Sequence, residues 1–176
     1  MILTADEIRT QVEGGNITIS PFESAMLNPN SYNYHLGPTL RVYPPGVHDS
    51  LRPPSPDEVV IPAEGLVLQP RQLYIGNTVE RIGSSCYVPS LIGRSSLGRL
   101  GMYLQLSADL GNLGASHQWT LEITVVQPLR VYPGMACGQV SFWVPLGEVS
   151  LYEGLLGTLS PPTVPSATTM RKAFDR

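Results

Sequence analysis

The densest chemistry in the chain lies in Gly93-Arg94-Ser95-Ser96-Leu97-Gly98-Arg99-Leu100-Gly101, where two arginines, two serines and three glycines share nine residues. Arg94 offers a planar fork of donors that matches phosphate or carboxylate. Ser95 and Ser96 add hydroxyls that donate or accept. Gly93 lets a backbone come close to a ligand or take a positive φ. Arg99 follows Arg94 by five residues, so one helical turn after the serines returns it to the same ligand. The apolar Leu91-Ile92 leads in, and the whole predicts a strand, an anion-binding turn and a short helix whose N-terminal amides add to the site. It is not a Walker loop, because Gly-Lys-Ser/Thr is absent. The same residues also suit a solvated arginine turn, and the stretch alone leaves both readings open.

A second candidate is Glu122, within Thr120-Leu121-Glu122-Ile123-Thr124-Val125. On a strand it shares a face with Thr120 and Thr124, while Leu121, Ile123 and Val125 face the other way. One reading is a glutamate on the wet face of a half-buried strand. The other is a carboxylate lining a pocket, with a raised pKa and a proton to shuttle.

Other chemistries lack their residues. Cys86 and Cys137 form no Cys-x-x-Cys, and His35, His48 and His117 show no metal-ligand spacing. The pattern of a zinc deaminase is therefore missing, and no resident metal is expected. Both cysteines are expected to be buried thiols. A net charge of −3 gives no footprint for nucleic acid. Lys172 is the one lysine beside ten arginines, a bias that fits a need for forks at some sites but equally a GC-rich genome. No apolar run reaches the ~18 residues of a membrane span. The opening Met1-Ile2-Leu3-Thr4-Ala5-Asp6 has no basic-then-apolar leader, so a cytoplasmic location is expected.

The elements that must position these residues are mostly strands. Thr4 with Glu7 reads as a capping box ahead of a helix over 5–13, with Ile8 and Val12 on its inner face and Gly14-Gly15 ending it. Strands are predicted over 17–20, 31–37, 39–43, 59–61, 66–68, 73–80, 103–107, 119–126 and 137–144, separated by Pro/Gly turns and a Pro/Ser-rich loop over 44–56. Many short strands at regular spacing predict an all-β barrel or jelly-roll-like sandwich. With 176 residues, 42% hydrophobic and 14% charged, the chain has enough apolar material for one core and suits an oligomer. A barrel domain over 1–147 is expected, followed by an irregular tail or lid over 148–176.

The stretch Gly93–Gly101 resembles the signature of the deoxycytidine triphosphate (dCTP) deaminases, which share a distorted β-barrel fold with the trimeric dUTPases. Other motifs resemble that family in its order: Ile2-Leu3 through Ser20-Pro21-Phe22, Ser31-Tyr32-Asn33-Tyr34-His35-Leu36-Gly37, Asn77-Thr78-Val79-Glu80-Arg81, Thr120-Leu121-Glu122, Tyr132-Pro133-Gly134-Met135 and Gly138-Gln139-Val140-Ser141-Phe142. The resemblance covers roughly 1–147. It implies a metal-free hydrolytic deamination of a cytosine nucleotide to its uracil counterpart and ammonia. By that resemblance Glu122 activates the attacking water and relays its proton, Ser95 orients the water or base, and Arg99 holds the geometry. Arg94 and Ser96 bind phosphates that carry Mg2+, and Ala108 and Asn112 lie against the substrate. It also implies a homotrimer with active sites between subunits.

Departures from the pattern bear on function. Asn33 stands where the family has Asp, and His35 where Arg is common. Asn112 replaces an aspartate that touches the sugar in deaminases and serves as base in dUTPases, and an amide cannot abstract a proton. Leu155-Leu156-Gly157-Thr158 stands where a Lys-Tyr and a Gln clamp the nucleotide, with Arg171 and Lys172 as replacements for the lost charge. A catalytically silent nucleotide-binding homologue is the alternative these changes support, and a dUTP diphosphatase is a third.

Overall fold

The computed structural model describes residues 1–104 and 109–152. One helix, α1 (Ala5–Glu13), opens the chain. The strands β1 (Ile17–Ser20), β2 (Leu27–Asn28), β3 (Ser31–His35), β4 (Thr39–Val42), β5 (Asp57–Val60), β6 (Leu66–Leu68), β7 (Tyr74–Ser84) and β8 (Val88–Gly93) follow. A single helical turn, α2 (Ser95–Gly98), leads into β9 (Met102–Tyr103), β10 (Ser116–Val125), β11 (Leu129–Val131) and β12 (Ala136–Trp143). The all-β architecture with a short N-terminal helix is the one the turn spacing predicts.

The strands form three sheets. The largest runs β5-β4-β7-β10-β9, with β1 also pairing β7. A second runs β2-β3-β12-β8, and β11 pairs β6 in a third. Their inner faces enclose Tyr32, Tyr34, Leu36, Leu40, Leu91, Leu121, Ile123 and Phe142, all fully buried. Burial of such side chains contributes about 1.5–3 kcal/mol each and dominates the fold's stability. The buried hydroxyls find partners: Tyr34 Oη donates to the Ile92 carbonyl at 3.1 Å, and Tyr32 Oη accepts from the Glu23 amide at 3.1 Å.

The helix bounds agree with the sequence, but the capping box does not form. Thr4 makes no side-chain cap, and the Glu7 carboxylate instead accepts from Gln11 Nε2 at 2.6 Å, one turn on. Thr4 serves through its carbonyl, which accepts from the Ile8 amide. Ile8 is fully buried, and Gly15 (φ 76°) turns the chain out of the helix. The short pairs β2 and β11 have no periodicity long enough to read. β7 extends to Ser84, past the predicted end at Glu80, because Arg81 to Ser84 gain partners in β1 that no local pattern encodes.

One edge of β7 is shared by three segments. Arg41 and Val42 of β4 pair with Ile75 and Tyr74, and β1 pairs with Arg81 to Ser84. Between them the end of β3 turns in: Leu36 bridges Thr78, and the Gly37 amide donates to the Asn77 carbonyl at 2.7 Å. The two large sheets meet at this point. Among the described residues no helix is long and apolar enough to cross a membrane.

Candidate active site

The arginine–serine stretch has the form the spacing predicts: β8 ends at Gly93, Arg94 is extended, and α2 begins at Ser95. β8 is held on β12 over six pairs, from Gly138–Gly93 to Trp143–Val88. Arg94 is half-buried and anchored twice, by its amide to the Cys137 carbonyl at 3.3 Å and by Nη1 to the Ala136 carbonyl at 3.3 Å. Ser95, Ser96 and Arg99 are exposed on the turn. The amides of Leu97 and Gly98 both close on the Arg94 carbonyl, and the Arg99 amide on that of Ser95. A helix of four residues aligns too few peptide dipoles to attract an anion strongly, so the side chains must carry that task.

Gly93 does not take a positive φ; it lies in the ladder opposite Gly138. The left-handed position is Gly101 (φ 86°), where an added Cβ would stand 2.4 Å from Val126 Cγ2. Gly101 thereby turns the chain from α2 into β9 and packs it against the end of β10. The Val126 amide closes the corner on the Gly101 carbonyl at 2.9 Å.

Glu122 lies on β10, whose side chains alternate between half-buried and buried along its length. It shares the half-buried face with Gln118, Thr120 and Thr124, opposite the core residues Leu121 and Ile123. Its cross-strand partner on β7 is Ile75. Thr124, the same-face neighbour of Glu122, pairs with Tyr103 of β9, the strand that emerges from the Arg94–Arg99 turn. Glu122 thus lies on the strand that pairs with β9, while Ser95 and Arg99 lie on the turn that joins β8 to β9. Asn112 is exposed in the turn before β10, its carbonyl accepting from the Ala115 amide at 3.2 Å. Ala108 lies outside the described residues, as do Arg171, Lys172 and the tail beyond Tyr152.

Two buried polar groups escape a reading by periodicity. Asn77 is 4% exposed on β7, opposite Thr120; its Nδ2 donates to the Thr78 carbonyl, while its Oδ1 has no partner among the described residues. Glu80 is 1% exposed and binds His35 twice. The sequence cue to Glu80 was a charged residue ending the predicted strand 73–80, which needs a partner if it is buried at all.

The thiol of Cys137 is buried as expected, and burial together with the charge of Glu80 raises its pKa far above the ordinary range. Cys86 is exposed, against expectation, because Ser85-Cys86 forms the outer turn between β7 and β8. Burial lowers the pKa of His117, with a smaller contribution from Arg81, and its ring lies 4.4 Å from that of Trp119. Among the described residues no three His, Cys, Asp or Glu side chains cluster as a metal site would need.

Residues 2–144 match the dCTP deaminase-like family. A "dCTP deaminase, dUMP-forming" of Clostridium beijerinckii is 45% identical over 153 residues, which cover 86% of this chain and 87% of that protein. A protein of the same description from Leptospira biflexa is 44% identical, covering 87% of each. The crystal structure of 2'-deoxycytidine 5'-triphosphate deaminase from Agrobacterium tumefaciens superposes with a TM-score of 0.66 at 20% identity, covering 82% of this chain and 46% of that one. That likeness shows the fold, and the match across nearly the whole of β1 to β12 decides the family: the chain belongs to the dCTP deaminase-like proteins.

Proposed function

We propose that the protein hydrolytically deaminates the cytosine ring of dCTP. The observation that carries this reading is the placement of Glu122 on β10 beside the strand continuing the Arg94–Arg99 turn, in a chain 45% identical to a dCTP deaminase. A water oxygen attacks C4 of the base. Glu122 takes one proton from that water and passes it to N3; the second proton, from the new C4 hydroxyl, goes by the same carboxylate to the exocyclic nitrogen, the C4–N bond breaks, and ammonia leaves as the C4 carbonyl forms. General acid–base transfer of this kind contributes about 10²–10⁴ in rate. Ser95 orients the water or the base, and Arg99 holds the geometry of the turn.

Arg94 and Ser96 face the triphosphate, whose Mg2+ travels with the substrate. Asn112 and Ala108 lie along the sugar and base. A homotrimer places each site between two subunits, in the cytoplasm. Exposed Leu100, Tyr103, Leu110 and Val126 around the turn are apolar surface that such assembly would cover.

A second reading concerns the product. The relatives at 44–45% identity are described as dUMP-forming, which adds hydrolysis of the α–β phosphoanhydride and release of pyrophosphate. Asn112 cannot act as the base for that step, although its amide can orient a water.

Incubation of the purified protein with Mg2+ and a panel of cytidine and uridine nucleotides, with chromatographic separation of products, tests both readings. Formation of dUTP and ammonia supports simple deamination. Formation of dUMP, pyrophosphate and ammonia supports the two-step reaction. Nucleotide binding without turnover would replace both with a silent binding protein.

A further inference from the structure

Glu80 and His35 join the two sheets that carry the candidate site. Glu80 lies on β7, beside the Glu122 strand; His35 ends β3, beside β12. The Glu80 carboxylate accepts from the His35 backbone amide through Oε2 at 2.9 Å and pairs with Nδ1 of the same residue through Oε1. A buried carboxyl group held at both oxygens by one residue is a rigid link, since releasing either bond leaves a buried oxygen without a partner.

Hydrogen bonds run outward from this link in both directions. On one side Thr78 Oγ1 donates to the Glu80 carbonyl at 2.7 Å and accepts from the Trp119 amide at 2.9 Å. Trp119 occupies the irregularity in β10 between Gln118 and Thr120, so this bond sets how β10 runs on to Glu122 three residues later. On the other side His35 pairs with Ala136 across β3 and β12, and the Ala136 carbonyl accepts from Arg94 Nη1. The next residue, Cys137, accepts the Arg94 amide. The ionisable groups whose charges bear on Glu80 from these elements are Tyr32 and Tyr34 on β3 and Cys137 on β12. Burial keeps the Tyr34 and Cys137 side chains neutral, so neither places a charge beside the pair.

We infer that His35 and Glu80 are positioning residues that hold the Glu122 strand and the Arg94–Arg99 turn in one frame. The inference rests on the deaminase reading for its effect on rate, but its structural part does not. Within an assembly the same rigid relation would be repeated in every subunit, whichever chains face one another at a site.

The test compares wild type with His35→Gln, Glu80→Gln and His35→Arg, each well below its melting temperature. Steady-state kinetics with dCTP and Mg2+ is read beside hydrogen exchange at the Arg94 and Trp119 amides. His35→Gln and Glu80→Gln are expected to lower kcat/KM tenfold or more, chiefly in kcat, and to speed exchange at both amides. His35→Arg, which keeps N–H donors toward Glu80, is expected to recover most of both. Wild-type kcat in variants that have merely lost thermal stability would overturn the inference, as would faster exchange at one amide alone. If the wild type turns over no cytosine nucleotide, the deaminase reading fails by itself. Joint exchange at Arg94 and Trp119 then still decides whether the pair couples the two sheets.

Discussion

Thr124 and Tyr103 stand directly opposite one another across β10 and β9. Glu122 is therefore one same-face step from a strand that begins three residues after Arg99.

Glu122→Gln removes the proton carrier while keeping size and hydrogen bonding. Rate is expected to fall about 10⁴-fold or more, since proton transfer and its positioning are lost together. Circular dichroism and melting temperature should stay near wild type, because the half-buried face of β10 carries little of the core. Residual turnover within tenfold of wild type would remove the proposed role.

Arg99→Lys keeps the charge but not the fork. A lysine presents a point charge and cannot hold two geometrically fixed bonds. kcat/KM is expected to fall at least tenfold, with stability unchanged because the side chain is exposed. Steady-state kinetics with a thermal melt on the same preparation checks both halves.

Gly101→Ala tests the corner that joins the turn to β10. The left-handed φ and the 2.4 Å approach to Val126 both oppose a side chain there. A loss of about 1–3 kcal/mol is expected from overpacking and backbone strain. Activity should fall further than the stability loss accounts for, because α2 shifts relative to Glu122. Chemical denaturation and kinetics below the transition separate the two effects.

His117 gives a pH dependence of stability. Its folded pKa lies below the model-compound value of 6.5, chiefly because burial disfavours the charged ring. The unfolded chain then binds more protons near that pH, so stability rises with pH and is lost as pH falls through the window just below 6.5. His117→Phe keeps an aromatic ring against Trp119 and cannot be protonated. Melting temperatures between about pH 8 and 5.5 should fall less for this variant than for wild type. Parallel curves would remove His117 from the acid sensitivity.

Much of this protein is legible along the chain. Strand alternation in Trp119 to Val126, the turn residues around Pro133-Gly134 and the helix ending at Gly14-Gly15 are local patterns that read directly as structure. The strand–turn–helix form of Leu91 to Gly98 was legible for the same reason, because every residue in it is specified by its neighbours in sequence. The facing of Glu122 followed from period two alone, which is a property of the extended backbone. What alternation could not decide was the company that face keeps.

Only tertiary structure decided that Thr124 meets Tyr103, that Gly101 rather than Gly93 takes the left-handed turn, and that Cys86 is outside while Cys137 is inside. Only it revealed that Glu80 is buried against His35, 45 residues away. The physical reason is common to all of these. A residue's own pattern sets which way its side chain points, but burial and pairing depend on strands distant in sequence that pack together to exclude water, and one sequence holds no local record of which strands those are.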